Sequence, residues 1–293
     1  MNEFYERNII IKQIKELGFT VKKSLGQNFL ISEDVCDKIV DTASRNGNDA
    51  VIEVGPGLGI LTNKLCKKFK KVLSIELDKK LFQFLCDSLS ESKNISLING
   101  DALSLDINKL LDNHFPGCKN IVFCSNLPYY ITSPLIMKFL ESERFSFITV
   151  MVQKEAAERI LASPGTRQCG AISTAVRYYS EPEFNFHVSK ENFFPVPKVD
   201  SSVISFKSIK HSDILDKKIF FNVLKSSFKE RRKNILNSIS SGICVNKSHL
   251  NDILTKCRLD KNLRAENLKF DDFVKISNLI SKGDDYTWSI NMT

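Results

Sequence analysis

The chain predicts an α/β fold, in which a mostly parallel sheet with an antiparallel closing strand is followed by a small all-helical C-terminal domain. Three observations predict it. Between residues 50 and 152, short β-branched apolar runs alternate with helical segments, and each run is apolar on both faces, as strands buried between two helical layers must be. Two further runs, 184–188 and 202–206, flank Phe193-Phe194-Pro195-Val196-Pro197 and read as a closing antiparallel pair. After Lys207 the strand signals stop, and apolar residues recur at helical spacing.

The elements follow in order. Ile10, Ile14 and Leu17 recur at i, i+4, i+7 and predict a short amphipathic helix, followed by Lys22 and Lys23 and a loop at Gly26-Gln27-Asn28-Phe29. Strands are predicted at 50–54, 72–77, 95–99, 121–124 and 145–152, with helices at 60–69 and 79–89 between them. In the tail, Ile219, Val223, Leu224 and Phe228 mark one helix, and Phe273, Ile276 and Ile280 another. The expected division is 1–208 for the sheet domain with its N-terminal extension and 209–293 for the helical domain.

Composition narrows the function classes. Of 293 residues, 42% are hydrophobic and 26% charged, which fits a globular chain. The formal net charge is +8, and residues 209–293, with 16 Lys/Arg against 10 Asp/Glu, carry +6 of it. A basic terminal module reads as a polyanion binder, nucleic acid before membrane. Eight cysteines form no C-x-x-C pair and only four histidines accompany them, so neither a zinc cluster nor a disulfide framework is suggested, and a reducing, cytoplasmic setting is expected. The polar N-terminus has no signal-peptide core, and the uncharged stretch 120–137 is interrupted by Asn, Ser, Thr and two prolines, so no membrane span is expected.

The chemistry gathers at strand ends. The first predicted strand ends in Glu53-Val54-Gly55-Pro56-Gly57-Leu58-Gly59, a turn whose glycines let the backbone approach a ligand closely. Sharp strand-to-helix turns need glycine in any case, and the dinucleotide pattern G-x-G-x-x-G fails because Ile60 stands where its last glycine would be. Glu76 ends the second run, 21 residues past Gly55, a distance suited to accepting ribose hydroxyls. Asp101 ends the third and could accept a proton from an adenine amino group. Either acid alone reads as a helix cap or turn residue; together, each ending a strand beside a glycine turn, they point to a ligand. The fourth strand runs into Ser125-Asn126-Leu127-Pro128-Tyr129-Tyr130. An aromatic amine is a poor nucleophile because its lone pair is delocalised into the ring. The Asn126 amide oxygen and a backbone carbonyl held by the proline turn would accept its two hydrogens and localise that pair. Tyr129 offers a face for an extruded base. An ordinary turn remains the plainer reading of these four residues taken alone.

The series Gln27-Asn28-Phe29-Leu30, Glu53 to Gly59, Glu76-Leu77-Asp78, Gly100-Asp101-Ala102, Asn126 to Tyr129, Gln153-Lys154-Glu155 and Phe194-Pro195-Val196-Pro197-Lys198-Val199-Asp200-Ser201 resembles the ribosomal RNA adenine dimethyltransferases. Among them it is most similar to the bacterial branch acting near the 3′ end of small-subunit (16S) ribosomal RNA. The resemblance runs in order from about Lys22 to Lys207 and continues more weakly at Phe228-Lys229-Glu230-Arg231-Arg232-Lys233-Asn234 and Arg264-Ala265-Glu266-Asn267-Leu268.

It implies a Rossmann-like class I methyltransferase sheet that transfers methyl groups from S-adenosyl-L-methionine to the exocyclic amines of two adjacent adenosines in a hairpin loop, with a role in ribosome biogenesis. By resemblance, Asn28, Leu30, Gly55 and Gly57 line the cofactor's methionine end, Glu76 holds its ribose, Asp101 and Ala102 meet its adenine, and Asn126 touches both cofactor and target amine. Tyr129 and Phe194 sandwich the target base, which leaves its stack. No metal is implied. The implied partner is small-subunit rRNA or a partly assembled small subunit; no oligomeric state is implied, and a monomer is expected. Lys229, Arg231, Arg232 and Lys233 would contact phosphates from a helix, or form a merely solvated face. Cys169 stands where an aromatic residue is common, leaving the 163–170 loop without an assigned role. Two rivals remain: a large-subunit (23S) enzyme of the antibiotic-resistance type, against which the helical tail and Asn126 to Tyr129 speak, and an assembly factor with a vestigial cofactor site, against which Glu76, Asp101 and Asn126 speak. A DNA adenine methyltransferase would usually carry a second proline in place of Leu127.

Overall fold

A computed structural model describes residues 28–47, 49–230 and 232–282. The helix expected around Ile10 to Leu17, the basic pair Lys22 and Lys23, Gln27 and Arg231 lie outside the described residues.

Nine strands and eleven α-helices are found among the described residues. Seven strands form one sheet: β2 (Ala50–Val54), β3 (Lys71–Glu76), β4 (Ile95–Asn99), β5 (Ile121–Asn126), β6 (Phe147–Gln153), β7 (Ser180–Val188) and β9 (Ser201–Ser208), in the order β4-β3-β2-β5-β6-β9-β7. The pairs β2–β3, β3–β4, β2–β5 and β5–β6 are parallel, and β9 closes antiparallel on β6 with Phe147 opposite Lys207. Every residue of β2 is buried, the mark of a strand covered on both faces. The remaining two strands, β1 (Phe29–Leu30) and β8 (Phe193–Phe194), form a ribbon pairing Phe29 with Phe194 and Leu30 with Phe193. Both segments read as loops in the sequence, because two residues carry no period.

Helices α1 (Glu33–Ala43), α2 (Ile60–Lys68), α3 (Lys79–Ser88), α4 (Ile107–His114), α5 (Thr132–Glu141) and the start of α6 (Lys154–Leu161) connect or cover these strands. Several begin at side-chain caps: Ser32 accepts from the Val35 amide, Asp78 from Lys80 and Leu81, and Asp106 from Lys109. α5 is seated by Phe139, which stacks on Phe123 of β5 with centroids 3.8 Å apart, while Phe145 packs against both rings.

The chain divides into two compact units, 1–157 with 181–208, and 158–180 with 209–293. Residues 158–180 group with the tail in the second unit. Aromatic packing accounts for this: Tyr178 and Tyr179, at the end of α7 (Ala171–Tyr179), meet Phe220 and Phe221 of α8 (Lys217–Lys229) at centroid distances of 4.8 to 5.6 Å within that cluster. The second unit is completed by α9 (Ile235–Ile243), α10 (Lys247–Lys256) and α11 (Phe270–Ser281), around buried Phe220, Leu250, Ile253, Phe273 and Ile276. Cys169 is buried there, its Sγ 3.6 Å from Thr174 Oγ1, and serves packing.

Candidate active site

The sheet reverses its order between β2 and β5: the chain moves outward from β2 to β3 and β4, then returns to β5 on the other side. Ligands of open α/β sheets bind at this switch, beyond the carboxyl ends of the strands. A cavity opens there, lined by Asn28, Leu30, Gly55, Gly57, Glu76, Asp101, Ala102, Asn126 and Tyr129, nine of the residues singled out in the sequence. Phe194 is not in the lining; it lies on β8, paired with Phe29, which is.

The glycine turn forms because three of its residues take φ of +71°, +58° and +78° at Gly55, Gly57 and Gly59, which side chains resist. A Cβ on Gly57 would also stand 3.0 Å from Phe29 Cδ1. The turn is tied down from below. Glu53, 1% exposed, accepts from Thr62 Oγ1 on α2 and Ser74 Oγ on β3, both at 2.7 Å on one oxygen. Burial pushes its carboxyl up to about 7, those two hydroxyls pull it down, and the Glu76 charge adds to the rise.

Glu76, 6% exposed, accepts from the Gly57 amide at 3.2 Å and the Asp78 amide at 2.8 Å, one on each oxygen. Burial raises its pKa and these amides oppose the rise. Each oxygen keeps a lone pair, so ribose hydroxyls can still donate to it. Asp101 is exposed and accepts from the Leu103 amide at 2.9 Å and Ser104 Oγ at 3.0 Å. It is the turn residue that the plainer reading held it to be, and it retains acceptor capacity toward the cavity.

Asn126 differs from both. Its half-buried side chain has no hydrogen-bond partner among the described residues. The next turn is firmly built: the Leu127 amide donates to Met151 O, Ser125 Oγ to Val54 O, and the Pro128 carbonyl takes the Ile131 amide and Thr132 Oγ1. No donor among the described residues reaches the Leu127 carbonyl. Two acceptors, the Asn126 amide oxygen and this carbonyl, are thus left by a rigid turn at the cavity. Tyr129 is half-buried, with its hydroxyl 3.3 Å from Ser201 Oγ, and burial raises its pKa, keeping the ring neutral.

Two lining residues that the sequence reading quoted but gave no role are exposed: Leu77, 48%, and Tyr130, 52%. Exposure of two large apolar side chains at one cavity is the physical sign of a surface kept for a flat ligand. Ala102 and Ile75 add further apolar lining, while Glu76, Asp101 and Asn126 supply acceptors. This set of acceptors and apolar surface fits S-adenosylmethionine, whose adenine presents a flat face and whose ribose and amino groups donate.

A family model described as ribosomal RNA adenine dimethylase matches residues 18–282. The chain belongs to that family. It is 41% identical over 279 residues to the ribosomal RNA small subunit methyltransferase A of Alkaliphilus oremlandii, covering 92% of this chain and 95% of that one. It is 39% identical to the protein of the same name from Clostridioides difficile, covering 96% and 98%. Among solved structures, a dimethyladenosine transferase from Plasmodium falciparum superposes with a TM-score of 0.70 at 28% identity, covering 85% of this chain and 96% of that one. The 23S rRNA methyltransferase ErmE shares the fold, with a TM-score of 0.66 at 23% identity and coverage of 87% and 100%. As a family member the chain is an S-adenosylmethionine-dependent methyltransferase.

The basic segment departs from expectation in one respect. It was expected on a helix, but α8 ends at Lys229, the Lys233 amide donates to Glu230 O in a turn, and Asn234 caps α9 through the Asn237 amide. Asn234 starts the next helix, its side chain accepting the otherwise unpaired Asn237 amide. Lys229, Arg232 and Lys233 are exposed, and Lys233 Nζ pairs with Glu230 at 2.5 Å. No helix among the described residues is long and apolar enough to cross a membrane, and no group of three or more metal-ligating side chains occurs among them.

Proposed function

We propose that the chain dimethylates the N6 amines of two adjacent adenosines in a hairpin loop near the 3′ end of small-subunit ribosomal RNA, acting in the cytoplasm on that RNA or on a partly assembled subunit. The observation that carries this reading is the pair of unpartnered acceptors, the Asn126 amide oxygen and the Leu127 carbonyl, at the mouth of a cavity suited to an adenosine-bearing cofactor. The relatives, ribosomal RNA small subunit methyltransferases A, support the choice of substrate.

S-adenosylmethionine supplies a methyl group on a sulfonium, electrophilic enough for attack by a neutral amine. The chain's residues bind and orient. Asn28, Leu30, Gly55 and Gly57 hold the methionine end, Glu76 the ribose, and Asp101 with Ala102 the adenine edge. Asn126 and the Leu127 carbonyl accept the two N6 hydrogens and turn the lone pair out of conjugation with the ring. Tyr129 and Phe194 stack on the extruded base, each ring contributing about 1–3 kcal/mol. Forming the N–C bond would break the methyl–sulfur bond and release neutral S-adenosylhomocysteine, and the amine would become an acidic ammonium whose proton can pass to water, so a strong side-chain base is not needed. The monomethylated amine keeps one N–H, so for the second transfer it would rotate to donate that hydrogen to one of the two acceptors while its lone pair faces the incoming methyl group. Lys229, Arg231, Arg232 and Lys233 would hold phosphates outside the loop being modified.

The test is transfer of labelled methyl groups to unmethylated small subunits and, in parallel, to large-subunit RNA, with the product nucleoside identified by mass. Dimethyladenosine in the small-subunit reaction alone is expected; label confined to large-subunit RNA would overturn the substrate assignment.

A further inference from the structure

Lys138 lies on α5, the helix that leaves the Asn126–Tyr129 turn, yet its ammonium reaches the loop after β4. Its Nζ donates to the carbonyls of Leu103 at 2.5 Å and Leu105 at 2.6 Å. The same five-residue turn bonds inward to Asp101: the side chain takes the Leu103 amide and Ser104 Oγ, and the Asp101 carbonyl takes the amides of Ser104 and Leu105. Asp101 therefore collects the turn's donors and Lys138 its acceptors. Burial lowers the pKa of this ammonium, and the charges of Asp101 and Asp106 oppose the fall. A half-buried ammonium on two carbonyls is a charge-assisted contact, roughly twice as strong as a neutral one.

Two consequences follow from this geometry. α5 is fixed on the sheet by Phe139, the neighbour of Lys138, stacked on Phe123, so the anchor is rigid and the turn is held against it. Thr132, at the start of α5, also donates to the Pro128 carbonyl. One helix thus joins the turn carrying the amine acceptors to the turn carrying the adenine acceptor.

We infer that Lys138 is a positioning residue that sets recognition of the cofactor's adenine, by holding the 101–105 turn so that Asp101 faces the 6-amino group. The inference rests on the assignment of Asp101 to adenine above. Without the ammonium, the Leu103 and Leu105 carbonyls would turn to water, the turn would open, and Asp101 would lose its aim while its charge remained.

The experiment compares wild type, Lys138→Met, Lys138→Arg and Asp101→Ala in two measurements on the full chain. The first is calorimetric affinity for S-adenosylhomocysteine against its 6-oxo counterpart, S-inosylhomocysteine. The second is hydrogen exchange at the amides of residues 103–105 without ligand. Lys138→Met should cut the preference for the 6-amino ligand about tenfold, equivalent to about 1.4 kcal/mol, and speed exchange at those amides; Lys138→Arg should restore most of both. Lys138→Gln replaces Lys138→Met if the latter does not fold. A lowered preference in Asp101→Ala with neither effect in Lys138→Met would overturn the role of Lys138 and leave the adenine assignment standing. An unchanged preference in Asp101→Ala would overturn the assignment itself, and the specificity role of Lys138 with it. A residue that merely stabilised the fold would lower the melting temperature without moving the ligand preference.

Discussion

Glu53 is buried against two hydroxyls, with no ion pair to a cation among the described residues, and its carboxyl is pushed up to about 7. In the unfolded chain a glutamate releases its proton near pH 4.3. Between those values the folded protein holds a proton that the unfolded chain has released, so stability declines as pH rises across that window. A Glu53→Gln variant lacks this titration. The wild type should therefore lose on the order of 1–3 kcal/mol relative to the variant between pH 5 and 7.5, read as the difference in denaturant midpoints; parallel curves for the two proteins would refute it. Sequence alone reveals that Glu53 ends a strand. It does not reveal the burial, because Thr62 and Ser74 are brought to it by the seat of α2 and the register of β3. Glu76, Asp101 and Asn126 were legible because strand ends on the carboxyl edge follow from the apolar runs themselves. Tyr130, Leu77 and Lys138 were not, since exposure and a reach across the fold leave no local pattern.

The elements most readable in the sequence were the buried strands, where continuous β-branched runs admit few alternatives. β2 and β4 match the expected bounds, and β3, β5 and β6 shift by one to two residues at their ends. Helices α9 and α10 went unmarked because their apolar positions are sparse and interrupted by serine and asparagine. Their packing depends instead on close approach. A Cβ on Gly242 of α9 would stand 2.2 Å from Ser226 Oγ and 3.0 Å from Ser226 Cα on α8. Since backbone cannot yield as a side-chain tip can, Gly242→Ala should destabilise the helical unit by about 1–3 kcal/mol, seen as a lowered melting temperature. An unchanged or raised temperature would show that the two helices separate freely.

Residues 158–180 group with the helical tail, where Tyr178 and Tyr179 meet Phe220 and Phe221, a long-range contact that leaves no local pattern in the sequence. Charge distribution, by contrast, was fully legible: the tail holds +6 of the net +8. If its exposed cations neutralise phosphates, Lys229→Ala with Arg232→Ala should flatten the log–log salt dependence of RNA affinity by about 0.7–0.9 for each phosphate no longer neutralised. Equal slopes would leave these residues as a solvated face.

The central claim is that the turn after β5 activates the adenosine amine inside the cavity at the sheet's switch point. Single-turnover methyl transfer by Asn126→Ala, with RNA affinity measured on the same preparation, tests it most directly. The expected result is a transfer rate lowered about 10²–10³-fold, as when one preorganised transition-state hydrogen bond is removed. RNA affinity should stay within about threefold of wild type, because the interaction acts in the transition state and not in ground-state binding. A near-normal rate in that variant would contradict the account.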